Sequence, residues 1–208
     1  MDVELVPEFP LFPLGVVALP SEVVPLHIFE DRYQAMMAHC LEHEAEFGIV
    51  WMADDGLRDT GCACAVERVL ERLEDGRMNL ASRGTRPFRI LERQSHLSYP
   101  AGIVEFLADR EEAGDAEAEA EAHEAYGELV RRATDREPDR RELAGLSAYE
   151  MAATVDFGTE AKQGLLELRS EAARLRLVTR LFRAAIKRLD FVDRAQARAR
   201  SNGKVRFG

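Results

Sequence analysis

Residues 63–84 read ACAVERVLERLEDGRMNLASRG. Two runs of strand formers flank Asp75-Gly76, a dipeptide suited to a tight turn because glycine takes positive φ without steric cost. The stretch predicts an antiparallel hairpin with a primed turn at Asp75-Gly76. On its C-terminal side, TRPFRILER (85–93) and YPAGIVEFLAD (99–109) read as further strands. On its N-terminal side, FGIVWM (47–52) is a compact apolar strand, and LFPLGVVALP (11–20) is short, β-branched and bounded by prolines, so it reads as strand and loop. Several short strands in succession leave open edges unless the sheet closes on itself, and closure is therefore expected.

One helix interrupts this series. In EDRYQAMMAHCLEHE (30–44), Tyr33, Met36, Met37, Cys40 and Leu41 recur at helical spacing and form one apolar face. At about residue 114 the period changes. Ala118, Ala122, Tyr126, Leu129 and Ala133 lie on one helical stripe, and REPDRREL ends it. SAYE supplies a capping box, with Ser147 as cap and Glu150 three residues on. TEAKQGLLEL (159–168) is another short helix. A long final helix begins near Ser170, with Ala173, Leu177, Leu181, Ala185 and Leu189 as its stripe. Strands first and helices last is an α+β order, not that of a doubly wound sheet. The expected organisation is a sheet subdomain over 1–112, a helical bundle over 113–200 and a flexible tail over 201–208. The boundary rests on Gly114 and on the shift from strand formers to Ala and Glu.

Composition narrows the function classes. A formal net charge of −10 argues against a generic nucleic-acid binder, and 46% hydrophobic residues can bury a core. Acidic residues crowd DREEAGDAEAEAEAHE (109–124), whereas Arg169 to Gly208 holds 12 basic against 3 acidic residues. The two charged helices are expected to face one another in the bundle, so that the asymmetry is internal compensation. The proline-broken, acidic N-terminus is not a signal peptide, and PLGVVALPSEVVPLHIF is too interrupted to span a bilayer. Three cysteines without a disulfide framework suit a reducing cytoplasm, where the protein is expected to reside.

No catalytic constellation stands out. Phosphate-loop, nucleophile-elbow and dinucleotide-turn patterns are missing. HCLEH (39–43) matches the H-x-x-E-H pattern of some zinc peptidases, with Glu42 between His39 and His43. On a helical projection, however, Glu42 points away from the apolar face and His39 towards solvent. A zinc there would need a third ligand and a dry pocket. The expectation is no metal, no cofactor and no catalytic residue. None of the three lysines (162, 187, 204) falls in an apolar pocket visible from the sequence.

The order of several segments carries a family resemblance. FPLFPLGVVALPSEVVPLHIFEDRYQAMM, FGIV, GCACAVERVLERLEDGRMNLASRGTRPFRI, YPAGIVEF and AKQGLLELRSEAARLRLV together resemble the Lon protease N-terminal domain family, over nearly the whole chain. The resemblance implies a six-stranded, PUA-like pseudo-barrel with one early helix, followed by a helical bundle, and is also akin to the Lon-like domain of cereblon. It implies a substrate-recognition role. In full-length Lon the domain precedes an ATPase and a serine-lysine protease. This chain is expected to stop where they would start and to hydrolyse neither ATP nor peptide bonds. Family members usually present FEPRY where this chain has FEDRY, so Asp31 stands in place of a proline, which is electrostatically acceptable at a helix start.

The expected partners are exposed apolar segments of proteins or peptides, and other proteolysis or quality-control proteins. Neither membranes nor, in the main reading, nucleic acids are expected. The peptide-binding candidates are Leu26, Phe29, Glu30, Asp31, Arg32 and Tyr33, in a loop richer in apolar residues than solvent tolerates. A groove between sheet and bundle is the expected place, with Phe29, Arg32 and Tyr33 near its wall. Two alternatives belong to other classes. One is PUA-like RNA binding through Arg174, Arg176, Arg180, Arg183, Lys187 and Arg188, which spread around the last helix instead of forming one stripe. The other is a zinc metallopeptidase at HCLEH.

Overall fold

A computed structural model describes residues 5–202. In chain order they form β1 (Leu5–Leu14), β2 (Val23–Ile28), α1 (Asp31–His43), β3 (Phe47–Ala53), β4 (Gly56–Arg72), β5 (Met78–Gln94), β6 (Ala101–Phe106), α2 (Ala116–Thr134), α3 (Arg140–Leu143), α4 (Ala148–Ala152), α5 (Thr159–Glu167) and α6 (Glu171–Asn202). The fold is α+β. The tail expected over 201–208 falls, from residue 203 onward, outside the described residues.

The hairpin of residues 63–84 sits inside two strands of 17 residues each, β4 and β5. TRPFRILER is the continuation of β5 and not a separate strand. Register shifts between Ala63 and Cys64, Val66 and Arg68, and Val69 and Glu71 let so long a pair bend. The turn differs from the primed type expected. Leu73 N–H donates to the Arg77 carbonyl (2.8 Å) and Gly76 N–H to the Leu73 carbonyl (3.1 Å). Glu74, Asp75 and Gly76 thus form a three-residue loop, in which only Gly76 has positive φ (+87°).

The strand order is β2-β5-β4-β3-β1-β6, and β5 pairs with β6 as well, which closes a ring. β1 and β3 are parallel; the other pairs are antiparallel. β5 serves two neighbours on one side: Met78 to Arg83 face β2, and Phe88 to Gln94 face β6. Among the described residues β2 has a ladder partner on one side only, and Pro25 at its middle, which has no N–H to give, is the residue expected in an edge strand.

Phe9, Leu11, Val50, Ala63, Phe88, Ile90 and Val104 pack as a core cluster of this sheet. Phe9 meets Phe88 edge-on at 5.2 Å and Phe106 at 5.7 Å. Gly48 and Gly61 leave the room that the Phe88 ring fills; a Cβ would lie 2.3 and 2.8 Å from its Cζ. α1 buries Tyr33, Met36, Met37 and Cys40, the stripe predicted, with Leu41 half-buried.

By internal packing, the described residues up to Glu112 form one unit with Tyr149–Glu171, and Ala113–Ala148 form another with those from Ala172 onward. α5, and α4 from Tyr149 onward, therefore belong to the sheet's unit, whereas the sequence expectation grouped them with the bundle. Tyr149 Oη donates to the Leu165 carbonyl (3.2 Å), Gln163 Nε2 to the Thr60 carbonyl (3.2 Å), and Leu165 and Leu166 are buried. In the second unit Asp115 caps α2 by accepting from Ala118 N–H (3.0 Å). α2 buries Ala118, Ala122, Ala125, Tyr126 and Leu129, while Ala133 is exposed near the helix end. α6 buries Arg174, Leu175, Val178, Thr179 and Phe182, while the predicted stripe of Ala173, Leu177, Leu181, Ala185 and Leu189 is half-buried. Its apolar residues lie on more than one face, and Phe182 packs on Tyr126 at 5.3 Å.

Candidate functional site

The sheet's unit holds a cavity of about 890 Å³ beside β2. One wall is the β1–β2 connection and β2 itself, including Val16, Val17, Val23 and Leu26; the other is the segment Ala153–Asp156 with the start of α5. Local hydrogen bonding shapes the first wall. Ser21, at φ 69°, donates its N–H to the Gly84 carbonyl (2.8 Å), and Gly84 N–H donates to the Glu22 backbone carbonyl (2.9 Å). Gly84 permits this approach, because a Cβ there would stand 2.1 Å from the Leu19 carbonyl oxygen.

Glu22 ties the walls together. Its Oε2 accepts from Leu19 N–H (2.9 Å), and its Oε1 lies 2.5 Å from Lys162 Nζ of α5. Both side chains are mostly buried, at 16% and 13% exposure. A carboxylate and an ammonium this far from water persist only as a pair. The cavity lining is thus mainly apolar, with the Glu22–Lys162 pair at its wall and the Asp156 carboxylate, which accepts from Gly158 N–H (3.0 Å), also in the lining. Sequence reasoning missed this pair and found no apolar pocket for any lysine. Glu22 and Lys162 are 140 residues apart, and no local spacing signals their contact.

The six residues singled out from the sequence divide into two sets. Leu26 and Tyr33 are buried, and Tyr33 packs on Phe12 at 4.3 Å. Burial pushes the Tyr33 phenol above its ordinary pKa, against the opposing pull of the Arg32 charge. Phe29 is 59% exposed and stacks on His27 at 5.7 Å. Glu30, at the N-cap of α1, accepts from Arg32 Nε (3.0 Å) and Nη2 (2.6 Å), and the guanidinium lies 4.7 Å over the Tyr33 ring. Asp31 is exposed and lines a separate depression with Gln34, Ala38 and Met78. Of the six, only Leu26 lines the cavity beside β2; Phe29 stands just beyond its end, on the same chain segment.

At HCLEH, the rings of His39 and His43 are 4.5 Å apart, and His43 Nδ1 lies 3.0 Å from the His39 carbonyl. Among the described residues no group of three or more His, Cys, Asp or Glu is placed to hold a metal ion. Cys40, Cys62 and Cys64 are free and buried. Burial raises the Cys40 thiol to about 11 and the Cys62 thiol well above its ordinary value, which disfavours the nucleophilic thiolate. In the second unit, Arg176 pairs with Asp115, Arg183 with Glu121 (3.2 Å) and Arg132 with Asp190, while Arg174 is buried. Two basic residues of α6, Arg176 and Arg183, are thus met by acidic residues of α2 and its cap, and Asp190 of α6 by Arg132 of α2. No helix among the described residues is long and apolar enough to cross a membrane.

The family model of the ATP-dependent protease La (Lon) substrate-binding domain matches residues 8–184. Curated relatives include the Lon protease of Paraburkholderia phytofirmans, 30% identical over 193 residues, and that of Anaeromyxobacter dehalogenans, 29% identical over 190. These alignments cover 81% and 83% of this chain but only 23% and 22% of the relatives, so the chain spans under a quarter of their length. Similar solved structures include the Lon N-terminal domain protein of Xanthomonas campestris (TM-score 0.63, 23% identity, 82% of this chain and 95% of that one). The N-terminal domain of Mycobacterium avium complex Lon protease is also similar (TM-score 0.60, 21% identity, 84% and 97%). At these identities the structural likeness shows the fold.

Proposed function

The chain belongs to the family of Lon substrate-binding domains, and from that premise we propose that it is a non-catalytic module that recognises exposed apolar segments of unfolded or tagged proteins. The observation that carries this reading is the mainly apolar cavity beside β2, in the unit that bears the family's sheet. A bound segment lies extended along β2, its apolar side chains against Val23 and Leu26, and continues towards Phe29. Glu30, Asp31 and Arg32 form the polar rim beyond Phe29, and buried Tyr33 supports Arg32 from beneath. Mixed polar and apolar linings of this kind fix register while apolar contact supplies affinity. In this role the domain delivers client segments to other proteolysis or quality-control components and itself hydrolyses neither ATP nor peptide bonds.

The test compares binding of an unfolded, carboxymethylated model protein with its folded form, using wild type and Val23→Asp. Val23 is 45% exposed, so the substitution places a charge in the groove without unfolding the sheet. Selective binding of the unfolded form, weakened about tenfold or more by the variant, is expected. Equal and negligible binding of both forms overturns the reading.

A further inference from the structure

His27 lies on β2 between two exposed apolar residues of the same segment, Val23 and Phe29, and lines the cavity beside that strand. Its register partner on β5 is Asn79. Three side chains join there in a row. Asn79 Nδ2 donates to Glu71 Oε2 (2.8 Å), and the His27 Nδ1 to Asn79 Oδ1 distance is 2.6 Å. The first contact settles the second. A carboxylate only accepts, so the amide turns Nδ2 to Glu71 and leaves Oδ1 for the ring. Oδ1 also only accepts, so Nδ1 of His27 carries the proton. In the neutral imidazole Nε2 is then a bare hydrogen-bond acceptor.

The ring is fixed in orientation as well as in tautomer. Phe29 stacks on it at 5.7 Å, with the planes 23° apart. The Glu71 charge, passed on through the amide, polarises the imidazole and strengthens Nε2 as an acceptor. Among the described residues Nε2 has no hydrogen-bond partner. The other polar side chains of the lining differ in this. Lys162 is held by Glu22 (2.5 Å), and Asp156 accepts from Gly158 N–H (3.0 Å). The Thr154 hydroxyl donates to the Met151 carbonyl (2.9 Å), and that of Thr159 to Glu160 (3.2 Å). Each of these is engaged within the chain, whereas His27 presents a positioned acceptor that the chain itself does not use.

We propose that His27 Nε2 determines specificity at this cavity by accepting a hydrogen bond from a hydroxyl or carboxamide side chain of a bound peptide. The inference rests on the peptide-recognition reading above and adds a residue preference to it. Val23 and His27 are four strand residues apart, about 13 Å. An extended segment with an apolar side chain against Val23 therefore carries its donor about four residues on. A carboxylate side chain, which only accepts, makes no such contact.

The experiment titrates the purified chain with one unfolded apolar peptide in which Thr replaces Val at a single position, moved residue by residue along the peptide. The two side chains are close in shape and differ in the hydroxyl, and apolar contact alone favours Val everywhere. At one position Thr is expected to bind about fivefold tighter than Val. His27→Gln, whose amide oxygen reaches the place of Nε2, keeps that ratio above one. His27→Asn, whose amide reaches only the place of Nδ1, abolishes it. Ring nitrogen NMR of isotopically labelled protein reads the tautomer directly. His27, identified by its loss in the Gln variant, should carry its proton on Nδ1, and its Nε2 signal should move upfield with the Thr peptide alone. Asn79→Leu, which removes the positioning amide, should shift the proton towards Nε2 and reduce the Thr preference together. Equal or weaker binding of Thr at every position overturns the assignment and leaves apolar recognition standing. A retained Thr preference in His27→Asn, or an Nε2–H tautomer in the free chain, overturns it as well. Binding of no peptide overturns both readings.

Discussion

Lys162 of α5 holds its ammonium 2.5 Å from the Glu22 carboxylate, and that contact joins the β1–β2 connection to a helix 140 residues later in the chain. With both groups mostly buried, removal of either partner strands a charge away from water. Lys162→Met is expected to cost about 3 kcal/mol of unfolding free energy, and Glu22→Gln a similar amount. The double variant Glu22→Met/Lys162→Met restores much of that loss, because two apolar side chains then fill the site without an unpaired charge. Urea midpoints of the three variants decide it. Additive losses in the double variant would show that the two side chains do not act as a pair.

Gly84 carries a second expectation. Its carbonyl and N–H hold Ser21 and Glu22, and an added Cβ would meet the Leu19 carbonyl oxygen at 2.1 Å and its carbon at 2.8 Å. These are backbone atoms and cannot swing aside. Gly84→Ala should destabilise by about 3 kcal/mol or abolish folding. Gly114→Ala, where nothing lies within 4 Å of the new Cβ, should change stability by less than about 0.5 kcal/mol.

The buried thiols predict an alkaline limit. Cys40 is raised from 9.0 to about 11, and burial raises Cys62 in the same direction. A raised thiol pKa means that the unfolded chain releases its proton first as pH climbs. The stabilisation is complete below about pH 9 and is lost between pH 9 and 11. From Cys40 alone the loss is on the order of 2–3 kcal/mol. Urea unfolding at pH 8 and pH 10.5 should show the decline, and Cys40→Ala should reduce it. A thiol reagent should label the native protein slowly at pH 8 and all three cysteines rapidly in denaturant.

How much of this was legible in the sequence depends on the reach of each signal. The β4–β5 hairpin and the buried face of α1 follow from spacing within a few residues, and both were readable. The turn at Asp75-Gly76 is legible in its place but not in its type, since one glycine suits either a primed turn or the left-handed position of a three-residue loop. On α6 the apolar residues cover more than one face, and periodicity alone does not single out the buried set of Arg174, Leu175, Val178, Thr179 and Phe182. The β2 cavity and the Glu22–Lys162 pair both arise where α5 packs within the sheet's unit. That packing is a long-range event, and no local motif encodes it.

The segment from Leu26 to Tyr33 yields the last prediction, because its residues now separate into support and surface. Tyr33 is 7% exposed, packed on Phe12 and overlain by Arg32, so Tyr33→Ala opens a cavity under the start of α1 and should cost about 3–5 kcal/mol. Phe29 is 59% exposed and stacks on His27 at 5.7 Å, so Phe29→Ala should move stability by less than about 0.5 kcal/mol. If the segment contributes to recognition, the same Phe29→Ala change weakens binding of an unfolded apolar peptide by about tenfold, the effect of losing one exposed aromatic anchor. Arg32→Ala should weaken it less, since its guanidinium is spent on Glu30 at the solvent-exposed rim. Peptide titrations alongside urea unfolding separate the two quantities. A Phe29→Ala protein with unchanged stability and unchanged peptide affinity would confine recognition to the cavity beside β2.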